Sequence, residues 1–274
     1  MKNLTIVFRF SFLLFNYLFI SVNSHSQTNA ESIAKGETLP SSSYTLYSPS
    51  LFDKDFSEIR FHHKNLYCQK ELNEFFTETA FFYPHSRIGT NITFWGYPHY
   101  QRWDFSTSLA KKLSEFFIGG CSFKLTTFHY TRKQSPSTFC SLTINIDCQW
   151  TIKEHNKLYT KINHQFLFNH QIESLKDWIS IGYTLSYNNI NCISEIDLWN
   201  YATPTIHLGF EYKIYDFKLQ AGIKGLAIVP SYGIGYEYKK WNFNLSANWR
   251  QTLGHSFSID ICHQLTNKKQ TKIS

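Results

Sequence analysis

The chain has 274 residues, of which 18% are aromatic and 17% are charged, with 27 Lys and Arg against 20 Asp and Glu. Its mean hydropathy of −0.32 and its lack of a long apolar run beyond the N-terminus exclude a protein that crosses a membrane with several helices. The basic residues are dispersed along the chain, so nucleic acid is not an expected partner.

Residues 1–26 have the features of a cleaved signal peptide. Lys2 and Arg9 supply a positive start, residues 10–22 form a short apolar stretch, and residues 24–26 offer a small-x-small cleavage site. An N-terminal anchor is the alternative, but the apolar stretch is shorter than the roughly 20 residues of a spanning helix. Loss of this segment leaves 25 basic against 20 acidic residues, a net charge of +5.

The next segment, residues 27–55, is rich in Ser, Thr, Asn and Pro and lacks periodicity. In isolation it would be a flexible linker, whereas inside a barrel it is a candidate luminal plug. The barrel itself is predicted over residues 56–265, and a polar, basic tail follows at 266–274. After the signal peptide the chain is therefore predicted to form one domain.

Apolar and polar residues alternate along most of the chain beyond residue 58. Between Trp241 and Trp249 the sequence WNFNLSANW puts large apolar side chains on one face of a strand and Asn or Ser on the other. Segments of about ten residues with this pattern fit the tilted spans of a membrane β-barrel. Fourteen strands are predicted, near 58–67, 77–83, 87–96, 102–113, 116–130, 138–153, 156–169, 177–189, 192–201, 205–214, 217–225, 231–239, 241–250 and 255–265.

Short breaks with turn chemistry separate these segments and predict an antiparallel meander. Residues 69–76 could form a helical turn instead of strand, and residues 192–202 give the weakest strand signal. The breaks are Asn188-Asn189, Thr203-Pro204, Tyr215-Asp216, Val229-Pro230, Lys239-Lys240 and Leu253-Gly254.

The alternation of apolar and polar residues does not by itself show which face contacts water, since the strands of a secreted β-sandwich alternate as well. Here the polar face is dominated by Asn, Ser, Thr, Gln and Gly in place of the Lys and Glu of a typical wet surface, which suits an enclosed interior. Aromatic residues near strand ends are typical of membrane-interface girdles. These are Trp103, Trp178, Tyr187, Tyr232, Tyr238, Trp241 and Trp249. The fold class predicted is therefore all-β, a transmembrane antiparallel β-barrel of about 14 strands.

Three short segments resemble outer-membrane barrels related to long-chain fatty-acid transporters, in particular the PorV/PorQ-like branch of Bacteroidetes that accompanies type IX secretion. They are Tyr47-Ser48-Pro49-Ser50-Leu51, Phe94-Trp95-Gly96-Tyr97 with Tyr100, and Leu253 to Ile259. Two features depart from that pattern. Ser48 replaces the usual Asn before Pro49, and the chain ends in TNKKQTKIS instead of the terminal aromatic residue common among outer-membrane barrels.

The resemblance implies a non-enzymatic barrel of the outer membrane, either transporter-like or accessory to a secretion complex. The partners expected are outer-membrane lipid and proteins of that complex, and no cofactor is expected. A passive porin, a lipid-hydrolysing barrel and a secreted soluble sandwich that binds a ligand remain open alternatives.

Motifs for catalysis or metal binding are weak. His255 and Ser256 are adjacent on a strand and so point to opposite faces, which disfavours a nucleophile and base pair. The twelve histidines and the cysteines at 68, 121, 140, 148, 192 and 262 show no ligand spacing typical of zinc. Disulfide connectivity is not deducible from the sequence, and Gly233 and Gly235 are expected to relieve crowding at the barrel wall.

If the apolar register faces lipid, ten charged side chains are predicted to point into the lumen. Their mixed signs favour internal salt bridges or a plugged lumen over a permeation path selective for one sign of charge. The ten are Asp104, Asp147, Glu211, Lys213, Lys218, Lys224, Glu237, Lys239, Arg250 and Asp260.

Overall fold

A computed structural model describes most of the chain from Ser57 onward. The described residues are 57–69, 72–83, 85–97, 99–132, 135–153, 155–168, 176–199, 203–225, 228–251 and 253–265. The predicted signal peptide, the 27–55 segment and the 266–274 tail lie outside these ranges. Among the described residues, no helix is long and apolar enough to cross a membrane.

The described chain forms fourteen β-strands in one closed antiparallel sheet, as the alternation predicts. Each strand pairs with its neighbours in sequence, and β1 pairs with β14 to close the barrel. The strands are β1 Glu58–Asn65, β2 Asn73–Tyr83, β3 Ser86–Tyr97, β4 Tyr100–Lys112, β5 Phe117–Arg132, β6 Ser135–Lys153, β7 Asn156–Phe168, β8 Lys176–Tyr187, β9 Ile190–Trp199, β10 Thr205–Ile214, β11 Phe217–Lys224, β12 Val229–Tyr238, β13 Trp241–Arg250 and β14 Gly254–Gln264.

The two ends of the barrel differ in their connections. At one end, called the turn end here, β1 begins, β14 ends, and connections of two to four residues join the strands. Asn188, Tyr215 and Lys239 each take a positive φ, between 50° and 54°, as the first residue of a two-residue turn. The other end, the loop end, carries longer connections at 66–72, 169–175 and 200–204. Short turns on the periplasmic side and longer loops outside are the usual pattern of bacterial outer-membrane barrels.

The outer face of the wall is apolar. On β13, Phe243 is 40% exposed and Leu245 is 53% exposed, whereas Asn244 between them is 1% exposed. Exposed apolar side chains recur at every second position of the other strands, for example at Ile146 and Ile181. Such a surface would cost free energy in water, so it is matched to the acyl chains of a bilayer.

Aromatic residues near the strand ends are exposed on the outer face, as an interfacial girdle requires, with one exception. Tyr187, Tyr238 and Trp241 lie at the turn end, and Trp103, Tyr232 and Trp249 at the loop end. Trp178 was expected in this girdle, but it is 6% exposed and lies on the inner face with Ser180. Trp178 is two residues from Ser180 and so shares its face of the strand; closeness to a strand end does not change this orientation.

Three further details differ from the sequence-based expectation. Residues 73–76 belong to β2 and not to a helical turn. Phe76 is buried and Phe75 is exposed, so the alternation of the strand already includes these residues. Val229 and Pro230 are the first residues of β12, not a turn, which is a position where a strand tolerates Pro. The weakly signalled strand forms over Ile190–Trp199 as β9.

Candidate functional site

The inner face of the barrel is a dense layer of buried polar side chains, and it is where the chemistry of this chain is concentrated. Of the ten charges predicted to point inward, five are at most 8% exposed, namely Asp104, Asp147, Glu211, Lys218 and Asp260. Lys224, Glu237 and Arg250 are half-buried, and Lys213 is exposed near the turn end. Lys239 lies in the β12–β13 turn, where its positive φ ends the alternation, and its Nζ is 5.1 Å from the Tyr238 ring.

One group of charges joins the first and last strands across the closure of the barrel, and it is called the seam cluster here. Arg60 Nη1 on β1 donates to Asp260 Oδ2 on β14 at 3.0 Å. Arg87 Nη2 on β3 donates to Glu58 Oε1 on β1 at 2.6 Å. The Cys262 thiol donates to Glu58 Oε2 at 3.3 Å. Because these side chains are almost fully buried, their opposite charges must compensate each other for desolvation.

A second group lies on β4 toward the loop end. Arg102 and Asp104 are two residues apart on the same strand, so both side chains face inward. Arg102 donates from Nε to Asp104 Oδ1 at 3.0 Å and from Nη2 to Oδ2 at 2.5 Å, a bidentate pair. The Nε and Nη2 edge of the guanidinium is therefore occupied by the carboxylate on the same strand.

A third group forms one row across four strands. Tyr159 on β7, Gly182 on β8, Glu195 on β9 and His207 on β10 are successive register partners. The Tyr159 hydroxyl donates to Glu195 Oε2 at 2.7 Å, and the ring reaches it by lying over Gly182. A Cβ at Gly182 would come within 1.9 Å of the Tyr159 Cζ and Oη atoms. Glycine is therefore required here by the close approach of the ring.

The remaining inner face is held by amide, hydroxyl and carboxylate contacts between adjacent strands. Glu211 accepts hydrogen bonds from Asn191 Nδ2 and from Gln220 Nε2, each at 2.9 Å. Ser246 and Ser258 are joined at 2.6 Å. Glu237 on β12 contacts Lys218 Nζ on neighbouring β11 at 2.8 Å and, across β11, Lys213 Nζ on β10 at 2.5 Å. Opposite charges thus contact each other both on neighbouring strands and across one intervening strand.

Several further buried charges belong to this inner face but were not among the ten predicted. The same alternation predicts them: along β1 to β4 and β7 to β10, the polar residues at every second position face inward. They are Glu58, Arg60, Lys64, Glu74, Glu78, Arg87, Arg102, Lys161, Glu195, Asp197 and His207.

At the loop end the inner face changes character from polar to aromatic. Six rings on β3 to β6 share it and are called the mouth cluster here: Trp95, Tyr97, Tyr100, Phe128, Tyr130 and Phe139. The Trp95 and Tyr100 ring centroids are 5.1 Å apart, and Tyr100 lies 6.3 Å from both Tyr97 and Phe128. The strand register pairs Tyr100 with Tyr130 and Phe128 with Phe139. Tyr130 and Phe139 therefore lie on the same inner face as the other rings.

Local sequence explains how these rings are brought together. Gly96 takes a φ of 139°, and a Cβ there would meet the Tyr100 carbonyl oxygen at 2.1 Å. The glycine therefore permits the tight connection between β3 and β4 that sets Tyr97 opposite Tyr100. The residues Phe94 to Tyr97 with Tyr100, singled out in the sequence, form this corner.

The structure offers no support for hydrolytic or metal chemistry within the residues described. His255 is exposed and Ser256 is buried, so the two face opposite sides of β14, and Ser256 Oγ accepts from the Tyr67 amide at 3.1 Å. No group of three His, Cys, Asp or Glu residues that could hold a metal occurs in the described ranges. All six cysteines lie in those ranges, and each is a free thiol.

Comparisons with known proteins relate the chain by fold and not by sequence. No protein-family model matches it, and no curated protein matches it either. Solved structures do match. The toluene transporter TodX of P. putida has a TM-score of 0.66 at 9% identity, over 89% of this chain and 100% of that one. The CymD monoaromatic hydrocarbon channel has a TM-score of 0.67 at 8% identity, over 89% and 99% of the two chains.

A Pseudomonas aeruginosa FadL homologue has a TM-score of 0.57 at 10% identity, over 87% of this chain and 98% of that one. At such low identities the likeness concerns architecture alone. The chain thus shares its barrel fold with these solved outer-membrane proteins over 87–89% of its own length.

Proposed function

We propose that this protein is a non-enzymatic outer-membrane barrel through which small apolar molecules pass. The observation that carries the proposal is the mouth cluster, an aromatic surface at the loop end of a wall whose inner face is otherwise polar and internally paired. The shared fold with channels named for toluene and monoaromatic hydrocarbons agrees with it. The apolar outer face supports placement in a bilayer, with membrane lipid as the first partner.

The route to that membrane is part of the same proposal. Residues 1–26 direct export and are removed, and the turn end then faces the periplasm because it carries the short connections. Heat-modifiable gel migration of detergent-extracted protein would test the barrel state. Complete extraction of the chain from membranes by carbonate or high salt would refute the placement in a bilayer.

We also propose that residues 27–55 plug the lumen. Fourteen strands spaced about 4.8 Å apart and tilted about 40° give a barrel roughly 28 Å in diameter. Two arginine side chains extended from opposite walls do not span that width. Yet wall residues such as Glu74, Asp260 and His207 are fully buried, which supports an additional occupant of the interior.

Planar-bilayer conductance tests the plug directly. Deleting residues 27–55 is expected to raise the single-channel conductance, whereas deleting residues 266–274 serves as the control and leaves it unchanged. An intact protein that already conducts steadily is a passive porin, and equal conductance of the intact and 27–55-deleted proteins refutes the plug.

Transport is tested with the full chain reconstituted in liposomes. We expect the initial rate of toluene uptake to exceed that of protein-free liposomes and to saturate with concentration. Uptake equal to that of the protein-free liposomes overturns the transport proposal. A parallel assay for phospholipid hydrolysis, with Ser256→Ala as the variant, addresses the enzyme alternative, for which no turnover is expected.

An accessory role in protein secretion is the second candidate. It rests on the short resemblances to PorV/PorQ-like barrels, of which the segment from Leu253 to Ile259 begins at the loop end with Leu253 and His255 exposed. Co-purification of secretion-complex proteins with the wild type, and its loss on replacing Leu253 and His255, would favour this role. Unchanged uptake by that variant in liposomes would separate it from transport.

A further inference from the structure

We propose that the outer face of the barrel carries a site for an anionic phospholipid near the turn end, where Lys111 binds the headgroup phosphate; this rests on the proposed function only in placing the barrel in a bilayer. Lys111 is exposed near the end of β4. It lies on the same face of the strand as Phe105 and Leu109, whose apolar side chains are exposed on the outer face. A positive charge therefore stands on the surface that meets lipid.

The level of Lys111 along the barrel is that of the membrane boundary. Lys111 is the register partner of Gly119 on β5, which in turn pairs with Cys148 on β6. Two residues closer to the turn end, Phe117 and Trp150 are register partners, and both rings are exposed on the outer face. Aromatic rings of outer-membrane barrels concentrate at the two interfaces. The ammonium group of Lys111, on its flexible stem, therefore reaches the level of the lipid phosphates.

The charge of Lys111 is not used within the described part of the chain. No carboxylate there forms an ion pair with Lys111, in contrast to Lys213 and Lys218, which both contact Glu237. An ammonium group at the edge of the apolar band is costly unless an anion or water reaches it. A phosphate group supplies both a negative charge and acceptor oxygens, so it is the partner that this position favours.

Apolar side chains beside Lys111 are placed to contact the acyl chains of the same lipid. Leu113 lies over Gly119, since a Cβ there would be 3.3 Å from Leu113 Cδ1, and the leucine is exposed. Deeper in the wall, Leu109 and Ile146 are exposed on the same face. A cation bordered by exposed apolar side chains fits a ligand with an anionic head and hydrocarbon chains better than it fits a soluble anion.

The charge of the surrounding segments favours an anionic headgroup over a zwitterionic one. Residues 110–118 and 150–158, whose described parts meet at this side of the turn end, contain four Lys and two Glu, a net charge of 4 − 2 = +2. The Thr151 amide donates to the Phe116 carbonyl oxygen at 2.8 Å and joins the two segments. With the turn end toward the periplasm, the lipid belongs to the inner leaflet of the outer membrane.

Native mass spectrometry of the full chain in detergent tests the site, with phosphatidylglycerol and phosphatidylcholine titrated in parallel. A basic residue at a membrane surface contributes about fivefold in affinity for anionic lipid, so we expect the wild type to bind phosphatidylglycerol about fivefold more tightly than phosphatidylcholine. Lys111→Met keeps an unbranched apolar stem without the charge, and it is expected to lose this preference.

Lys112→Met is the matched control for that variant. It removes the same charge one residue away, on the opposite face of β4, and should bind phosphatidylglycerol as the wild type does. Lys111→Arg keeps the charge and should keep the preference. Equal weakening by Lys111→Met and Lys112→Met would show a general effect of net charge and overturns the site.

Trp150 reports where the lipid binds. In vesicles, phosphatidylglycerol with brominated acyl chains should quench the tryptophan fluorescence of the wild type more strongly than brominated phosphatidylcholine at the same mole fraction. Trp150→Phe keeps a ring at this position and should remove the difference, and so should Lys111→Met. Equal quenching of the wild type by the two lipids overturns the site.

The remaining outcomes separate the site from its alternatives. Displacement of phosphatidylglycerol by an excess of inorganic phosphate would assign Lys111 to a soluble anion and overturns the proposal. Heat-modifiable migration reports whether each variant is folded, and Lys111→Gln replaces the methionine variant if that one does not fold. Lipid preference without toluene uptake refutes the proposed transport alone, whereas uptake without lipid preference refutes the site alone.

Discussion

Gly182 is the position at which one added methyl group should do the most damage to the barrel wall. In Gly182→Ala the new Cβ would lie 1.9 Å from the Tyr159 Cζ and Oη atoms, so the ring must leave its place over β8. The clash is with a ring held between strands, since Tyr159 is 1% exposed and its hydroxyl is bound to Glu195. The substitution thus both overpacks the wall and breaks a buried hydrogen bond.

The magnitude follows from these two losses. Overpacking a well-filled site costs about 1–3 kcal/mol. Losing a hydrogen bond to a charged group costs about 1.5–3 kcal/mol. We therefore expect Gly182→Ala to lower the free energy of unfolding by about 2.5–6 kcal/mol. Tyr159→Phe, which removes only the hydroxyl, should account for about 1.5–3 kcal/mol of that.

Urea-induced unfolding in lipid vesicles, followed by tryptophan fluorescence and gel migration, measures these differences. Gly119→Ala is the control, because its Cβ would meet only Leu113 Cδ1, at 3.3 Å, the end of an exposed side chain. The decisive comparison is Gly182→Ala in a Tyr159→Leu background, where the clash is gone and the cost should fall below about 1 kcal/mol. A cost that is the same in both backgrounds would refute the reasoning.

Three further predictions concern the wall. Leu245→Arg, near the middle of β13 on the outer face, should lower the free energy of unfolding in lipid vesicles by about 2–4 kcal/mol, whereas Tyr215→Arg in a turn should cost about 0–1 kcal/mol; equal costs would show that Leu245 does not face lipid. Spin labels at residues 245 and 244 should report oxygen access from lipid at the first only, and the reverse pattern would contradict the orientation. Arg87→Met removes a partner of buried Glu58 and should cost about 3–5 kcal/mol in urea unfolding, and adding Glu58→Gln should recover part of it; a double variant as unstable as the sum of both singles would exclude their coupling.

The strands could be predicted from sequence because a wall between lipid and an enclosed interior imposes strict alternation. Residues 205–214 and 241–250 were placed within the bounds that the structure gives, and they show the pattern without interruption. Trp178 departs from the prediction because its register, and not its closeness to a strand end, sets which face it occupies. Val229 and Pro230 depart from it because a Pro at the first positions of a strand carries the same sequence signal as a turn.

The contacts between side chains on the inner face, in contrast to the strands, could not be predicted from the sequence. Arg60 and Asp260 are separated by 200 residues, and their contact depends on the register at which β14 meets β1. No local pattern encodes that register, since it is set by the summed offsets of thirteen hairpins. The same holds for the mouth cluster, where Phe128 and Phe139 become neighbours only once the β5–β6 register is known.

The seam between β1 and β14 is the only strand pairing in the described sheet that joins distant parts of the chain. All other pairings are hairpins, whose loops close at low entropic cost, so they can form before the seam does. Until the barrel closes, the edges of β1 and β14 expose unpaired backbone groups, which is costly in a bilayer. The ion pair between Arg60 and Asp260 then forms only on closure, since Asp260 comes from β14 and Arg60 from β1. An open seam leaves Arg60 without that carboxylate in a low-dielectric environment. Because Arg60 is opposite Cys262 in the native register, a slip of two residues that sets Arg60 opposite Gln264 keeps every side chain on its face but moves Arg60 away from Asp260. The seam cluster therefore disfavours closure of the barrel in that slipped register.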